Sequence, residues 1–209
     1  MLRRSLVVLL AFIAIGIATC QDHDTHEAEA ARLAALLGWK PGTIVADVGA
    51  GEGQMTLAAA RRVGATGKVY TTELDAKKRA HLEELAAKEK NLVALRSTAA
   101  SANLPPECCD SIFMRLVYHH LTQPAEFDAS LLRSLKLGGR LAVIDEYPVA
   151  GMSLPEGVPA NRGGHGIPEK LLADELKNAG FQVVTEIDPW ADWPNHHHNY
   201  CVVFRKAAP

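Results

Sequence analysis

The sequence predicts a doubly wound α/β domain: a mostly parallel sheet with helices on both faces, closed by one antiparallel strand. Three observations carry this expectation. Short β-branched and apolar runs, among them Thr43–Val48 and Leu141–Ile144, read as strands buried on both faces. Segments of helical period separate these runs, as parallel neighbours require. The last two strand-like runs, Phe181–Ile187 and Tyr200–Phe204, follow each other without a helix between them, so one of them runs backwards.

Taken in order, Asp24-x-x-Glu27 can cap a helix that runs to about Leu37, with Leu33, Leu36 and Leu37 on one face and Gly38 as its stop. Lys40-Pro-Gly42 turns the chain into the first strand. A helix over Gln54–Arg62 leads to a second strand, Lys68–Thr72, closed by Glu73. Asp75 starts a helix with Leu82, Leu85 and Ala86 inward; Asn91–Leu95 is the third strand and Ser111–Leu116 the fourth. Pro124–Leu135 is helical, Leu137-Gly-Gly139 is a turn, and Leu141–Ile144 is the fifth strand. Val149–Pro168 is rich in Gly and Pro without helical period, a loop long enough to be functional or mobile. Pro168 then opens the last helix at its first turn, with Leu172, Leu176 and Ala179 inward and Gly180 as its stop.

The organising stretch is Thr43-Ile-Val-Ala-Asp-Val-Gly-Ala-Gly-Glu-Gly53. A strand, a tight Gly49-x-Gly51-x-Gly53 turn and a helix start together make a nucleotide-type pocket. The glycines allow close backbone approach, and the helix N-terminus offers free N–H groups. Glu73, twenty residues after Gly53, ends the next strand where an acid can accept hydrogen bonds from a ribose diol. A dinucleotide fingerprint would need its third glycine at position 54, which is Gln54. Asp47 would repel a pyrophosphate and suits a ligand that carries positive charge.

From Trp39 to the C-terminus the sequence resembles the class I S-adenosylmethionine-dependent methyltransferases, whose first motif reads apolar, acidic, x-Gly-x-Gly-x-Gly. The resemblance implies a Rossmann-like sheet of seven strands, the last reversed and inserted beside its predecessor, with S-adenosylmethionine as cofactor. It implies a cofactor site at Asp47, Gly49, Ala50, Gly51, Gly53, Glu73, Leu74, Ser101 and Arg115. Asp47 would lie near the methionine ammonium and Glu73 would hold the ribose. Ser97–Ala102 has no carboxylate where the family usually has one for the adenine amine, which leaves that contact to backbone groups or Ser101.

Tyr118-His119-His120 follows the fourth strand, at the rim where a methyl acceptor would arrive, and these three are the candidate catalytic residues. Imidazole is the side chain best poised to take a proton near neutral pH, although a histidine there can equally serve packing. Asp145 and Glu146 end the fifth strand at the same rim, and strand alternation aims one of them at the pocket. His165, between Gly164 and Gly166, could reach the site on loop closure but reads as a surface histidine. His196-His-His198 invites a metal reading, but adjacent residues rarely converge on one ion and no Cys or Glu stands at ligand spacing. No metal is therefore expected. Trp190 and Trp193 would wall an apolar pocket or close the sheet edge.

The chain is near neutral, with Lys+Arg 22 against Asp+Glu 24, so no nucleic-acid partner is expected. Four cysteines make no disulfide framework at this length; Cys108, Cys109 and Cys201 read as buried free thiols, with a Cys201 bridge as the alternative. Residues 1–20 read as a targeting segment: a basic start at Arg3 and Arg4, then an apolar run of thirteen residues, Leu6–Ala18, short for a bilayer span. Cleavage after Ala18, or lipidation of Cys20 in a lipobox-like Ile17-Ala-Thr-Cys20, would both deliver an exported domain over 21–209. An uncleaved, cytoplasm-facing anchor is the alternative, and in either case the membrane is met only through this segment. The leading expectation is an exported methyltransferase of a small molecule. Its rivals are a non-catalytic cofactor-binding module and a nicotinamide-dependent reductase, the latter disfavoured by Gln54 and by the lack of a Tyr-x-x-x-Lys pair. Acceptor and oligomeric state are not encoded in any motif.

Overall fold

The computed structural model describes residues 25–191 and 198–207. The targeting segment with Cys20, and Trp193, His196 and His197, lie outside them. Helix α1 (25–37) is followed by β1 (Ile44–Val48), α2 (Gln54–Val63), β2 (Lys68–Glu73), α3 (Ala76–Lys88), β3 (Leu92–Arg96) and β4 (Cys109–Arg115). A short 3-10 turn (Tyr118–His120) leads to α4 (Pro124–Ser134), β5 (Leu135–Glu146), α5 (Glu169–Asn178), β6 (Phe181–Ile187) and β7 (Asn199–Lys206). The seven strands form one sheet in the order β3-β2-β1-β4-β5-β7-β6. All pairs are parallel except those of β7, which lies between β5 and β6 and runs against both. No helix among the described residues is long and apolar enough to cross a membrane.

Strand alternation divides the core into two layers. Ile112, Met114, Leu141 and Val143 pack against Phe127, Leu131, Leu172 and Leu176 of α4 and α5. Phe113, Ala142 and Ile144 face the other way, against Leu33 and Leu37 of α1 and Ala58, Ala59 and Val63 of α2. Burying such aliphatic side chains stabilises by about 1.5–3 kcal/mol each, which is why the central strands are apolar on both faces. Helix starts follow local chemistry: the Asp75 carboxylate accepts from the backbone N–H groups of Lys77 and Lys78 at 2.9 Å each.

Three expectations change. Leu137–Gly139 is not a free turn: β5 begins at Leu135 and runs through it, absorbing the irregularity as a register shift opposite Cys109 and Ser111. Cys108 and Cys109 are joined in a disulfide, whereas Cys201 is free and buried, its thiol pushed up to about 12 by desolvation. The 149–168 loop is pinned. Arg162, 2% exposed, donates to the carbonyls of Tyr118 and Leu121 at 3.4 and 2.9 Å and pairs with both carboxylate oxygens of Glu175.

Candidate active site

The carboxyl ends of β1, β2 and β4 open on a cleft, as expected where a doubly wound sheet reverses its strand order. One end is walled by Gly49, Glu73, Leu74 and Ser97–Ala99, the other by Met114, Val117, His120, Leu121 and Phe127.

The glycine turn is held by backbone bonds: the N–H groups of Gly49 and Ala50 both donate to the Thr72 carbonyl, at 2.9 and 3.1 Å. Gly49, Gly51 and Gly53 all have positive φ. Gly49 is also sterically obligatory, because a Cβ there would lie 2.5 Å from the Val117 side chain. A Cβ on Gly51 meets nothing within 4 Å, so the middle of the turn faces open space. Gly53 starts α2 without any side-chain cap, which leaves first-turn N–H groups for a ligand. The Glu73 carboxylate accepts from the N–H groups of Gly51, Leu74 and Asp75 at 3.0, 2.7 and 3.1 Å. An ionised carboxylate has about four acceptor positions, so Glu73 is locked in place with capacity left for a ribose hydroxyl. These features fit an adenosyl ligand whose tail ends in a carboxylate.

Three residues expected at the cofactor stand elsewhere. Asp47 is 2% exposed and is not part of the cleft wall. Alternation along β1 aims it under α2, where Oδ2 accepts from Thr56 Oγ1 at 2.6 Å, and desolvation raises its pKa to about 7. Arg115 leaves the cleft for α1, donating to Glu29 Oε2 at 2.8 Å. Ser101 folds back on its own loop, accepting from the Asn103 N–H at 3.0 Å, and Ser97, Thr98 and Ala99 take its place in the wall.

At the acceptor end the chain leaves β4 through Leu116, a non-glycine residue at φ 54. In the 3-10 turn that follows, Tyr118 and His119 reach different partners. Tyr118 is fully buried; its hydroxyl donates to Asp128 Oδ2 at 2.8 Å and lies 3.0 Å from Glu175 Oε2, with Arg162 over its ring. It is a packing residue turned away from the cleft, which corrects its assignment to catalysis. Its partner Asp128 has its pKa raised to about 7 by burial.

His119 points the other way and is 3% exposed. Asp145, at the end of β5, holds it twice: Oδ1 lies 2.6 Å from Nδ1 and Oδ2 accepts the His119 backbone N–H at 3.0 Å. A carboxylate only accepts, so Nδ1 carries the hydrogen and Nε2 presents a lone pair. That Nε2 is buried without a hydrogen-bond partner. The ring of His120, which lines the cleft, lies 4.1 Å from that of His119, and partial burial, then the charges of His119 and His165, lowers its pKa to about 4. His165 joins them, its ring centroid 5.1 Å from that of His119. Val149 N–H donates to the His165 carbonyl, and Gly166 packs so closely on β5 that a Cβ would lie 2.6 Å from the Tyr147 carbonyl oxygen. His165 is thus a fixed part of the site, not a surface residue; only the flanking glycines hinted at it.

The other sequence candidates lie apart. His198 pairs with Asp188 and stacks near Tyr147. Trp190 is buried on α1, donating from Nε1 to Glu29 Oε1 at 2.8 Å.

Comparison with known proteins agrees with the geometry. The family described as "Methyltransferase domain" matches residues 46–143. A SAM-dependent methyltransferase from Aquifex aeolicus is 26% identical, with a TM-score of 0.68 over 85% of this chain and 89% of that one. The [4+2]-cyclase SpnF superposes with a TM-score of 0.69 at 17% identity, covering 88% of this chain and 82% of its own. A possible exported protein from Bordetella parapertussis does so at 0.63 and 16% identity, over 91% of this chain and 68% of that one. No curated protein matches. The chain carries a class I S-adenosylmethionine-dependent methyltransferase domain, and its cofactor is S-adenosylmethionine. SpnF, named as a cyclase, shows that the fold alone does not dictate the reaction.

Proposed function

We propose that the protein methylates a small-molecule acceptor. The observation that carries this reading is the continuity of the cleft: the wall of Gly49, Glu73 and Ser97 runs without a break into that of Val117, His120 and Phe127. Bound S-adenosylmethionine supplies a methyl group on a positively charged sulfur, ready for in-line displacement. The chain's own residues then have to align and shield. Glu73 and the glycine turn anchor one reactant, while Met114, Val117 and Phe127 exclude water around the other. Where the acceptor must lose a proton, His119 is the residue fitted to receive it, because Asp145 fixes its tautomer and stabilises the charge that would form. His120, with its low pKa, is a poor proton acceptor at neutral pH and instead shapes the acceptor's entrance.

The test is calorimetric titration with S-adenosylmethionine, S-adenosylhomocysteine and NAD, followed by labelled-methyl transfer to a panel of small thiols, phenols and amines. The first two ligands should bind and NAD should not; NAD binding alone would overturn the reading. His119→Ala should keep cofactor affinity and lose turnover about 100-fold or more. Full turnover in that variant would leave positioning as the only mechanism.

We further propose export, supported by Arg3, Arg4 and the Leu6–Ala18 run. N-terminal sequencing of the native protein tests it: a start at Thr19, or at Cys20 with added acyl mass, supports export. An intact Met1 on a cytoplasm-facing protein refutes it.

A further inference from the structure

His119, His120 and His165 come from two separate segments, the turn after β4 and the long loop before α5, yet each offers a ring nitrogen within 4.8 Å of the others. We infer that these three histidines form a binding site for a divalent transition-metal ion of the zinc type, set at the acceptor end of the cleft. Three independent features support this. The first is the unpartnered, buried Nε2 of His119, since a buried polar atom of that kind normally has a partner. The second is Asp145, whose carboxylate accepts the hydrogen bond from Nδ1–H and so aims the lone pair of Nε2 into the cluster, the arrangement by which metal-bound histidines are oriented. Asp145 is itself held by the Glu146 N–H at 2.8 Å. The third is the anchoring of His165 by Gly166 and by the Val149 bond, which brings a third imidazole to a pair that alone would bind weakly.

Ligand chemistry narrows the ion. Three neutral imidazoles favour zinc, copper, nickel or cobalt over magnesium or calcium, which prefer oxygen. In a tetrahedral zinc site, nitrogens about 2.0–2.1 Å from the metal stand about 3.3 Å apart, so rotation of the more open His120 and His165 rings closes the set. Glu146 Oε1, 3.9 Å from His165 Nε2, can orient that ring or approach the ion. Three protein ligands leave a fourth position open toward the cleft that His120 lines. Resting on the proposed methyl transfer, the inference also names a class of acceptor: a hydroxyl or thiol, whose proton a bound cation makes easier to lose. A cation there would take over the lone pair of His119, and deprotonation would then fall to the ion.

The experiment uses the full chain, stripped with a chelator and titrated with zinc by calorimetry and with cobalt by visible absorption. One equivalent should bind, and cobalt should develop the bands of a low-coordinate nitrogen site. His165→Ala and His120→Ala should each weaken binding at least tenfold, and Asp145→Asn should weaken it about 10–100-fold. His120 is exposed, so that variant should fold even if the others do not. Replacing His196, His197 and His198 together by alanine controls for the competing histidine tract and should change nothing. No zinc or cobalt binding would overturn the inference, and the orphan nitrogen would then hold a water. Binding that survives His165→Ala and His120→Ala but is lost with the 196–198 tract would overturn it too. Titrating S-adenosylhomocysteine into the same samples separates the two readings: cofactor binding without metal sinks only the metal site, and metal without cofactor sinks only the methyltransferase reading.

Discussion

At the cofactor end of the cleft the protein presents mainly the backbone turn after β1 and the start of α2, with the locked carboxylate of Glu73 and the 97–99 segment beside them. At the acceptor end it presents side chains from distant segments, with His119 and His120 after β4, Asp145 and Glu146 on β5, and His165 in a loop pinned by Arg162. The two ends are therefore vulnerable to different changes. A backbone cradle is broken by adding a Cβ or a positive-φ penalty, whereas a side-chain cluster is broken by removing the groups that aim it.

The largest effect tests the cradle. Gly49→Ala combines a φ of 75 with a Cβ placed 2.5 Å from Val117. Strain of about 1–3 kcal/mol and overpacking of about 1–3 kcal/mol should together destabilise the domain by roughly 2–6 kcal/mol in urea unfolding. Wild-type stability and cofactor affinity in this variant would mean that the turn is not the cradle. Glu73→Ala comes next. Hydrogen bonds to a charged acceptor contribute about 1.5–3 kcal/mol each, so affinity for S-adenosylmethionine should fall at least tenfold while the fold survives; unchanged affinity would place the ribose elsewhere.

Tyr118→Phe probes the floor of the acceptor end. It removes the donor to buried Asp128 and should cost about 1–3 kcal/mol of stability. Cofactor affinity should stay unchanged, because the hydroxyl points away from the cleft. A collapse of turnover at undiminished stability would restore Tyr118 to the catalytic set.

A further effect concerns pH. Asp47 has its pKa raised from 3.8 to about 7, so between about pH 4 and 7 the folded protein holds a proton that the unfolded chain has released. Stability therefore falls as pH rises through that window, and Asp128 acts with the same sign. Asp47→Asn should flatten the fall, seen as a smaller difference between melting temperatures at about pH 5 and pH 8. An unchanged fall in the variant would mean that the buried carboxylate is already ionised across this window.

Much of the domain was legible along the chain. The strand–glycine–helix unit at 43–62, the acid at Glu73, the Asp75 cap and the reversed closing strand all rest on contacts between near neighbours or on periodicity, and these survive in a linear reading. The residues that the structure turns away from the cleft have a common feature. Asp47, Arg115 and Tyr118 have side chains that depend on which layer covers them: α2 claims the first, α1 the second, and Arg162 with Glu175 the third. None of those partners is within eight residues.

The architecture, the cofactor class and the position of the cleft are readable along the chain, because backbone conformation and burial period are local properties. The make-up of the acceptor end emerges from the folded chain alone. His165 reaches His119 and His120 from a loop 45 residues downstream, because Gly166 seats that loop on β5 and Arg162 clamps it to the turn after β4. Convergence of imidazoles across such a separation leaves no period, run or spacing in the chain. It exists only once the sheet has brought the ends of β4 and β5 side by side.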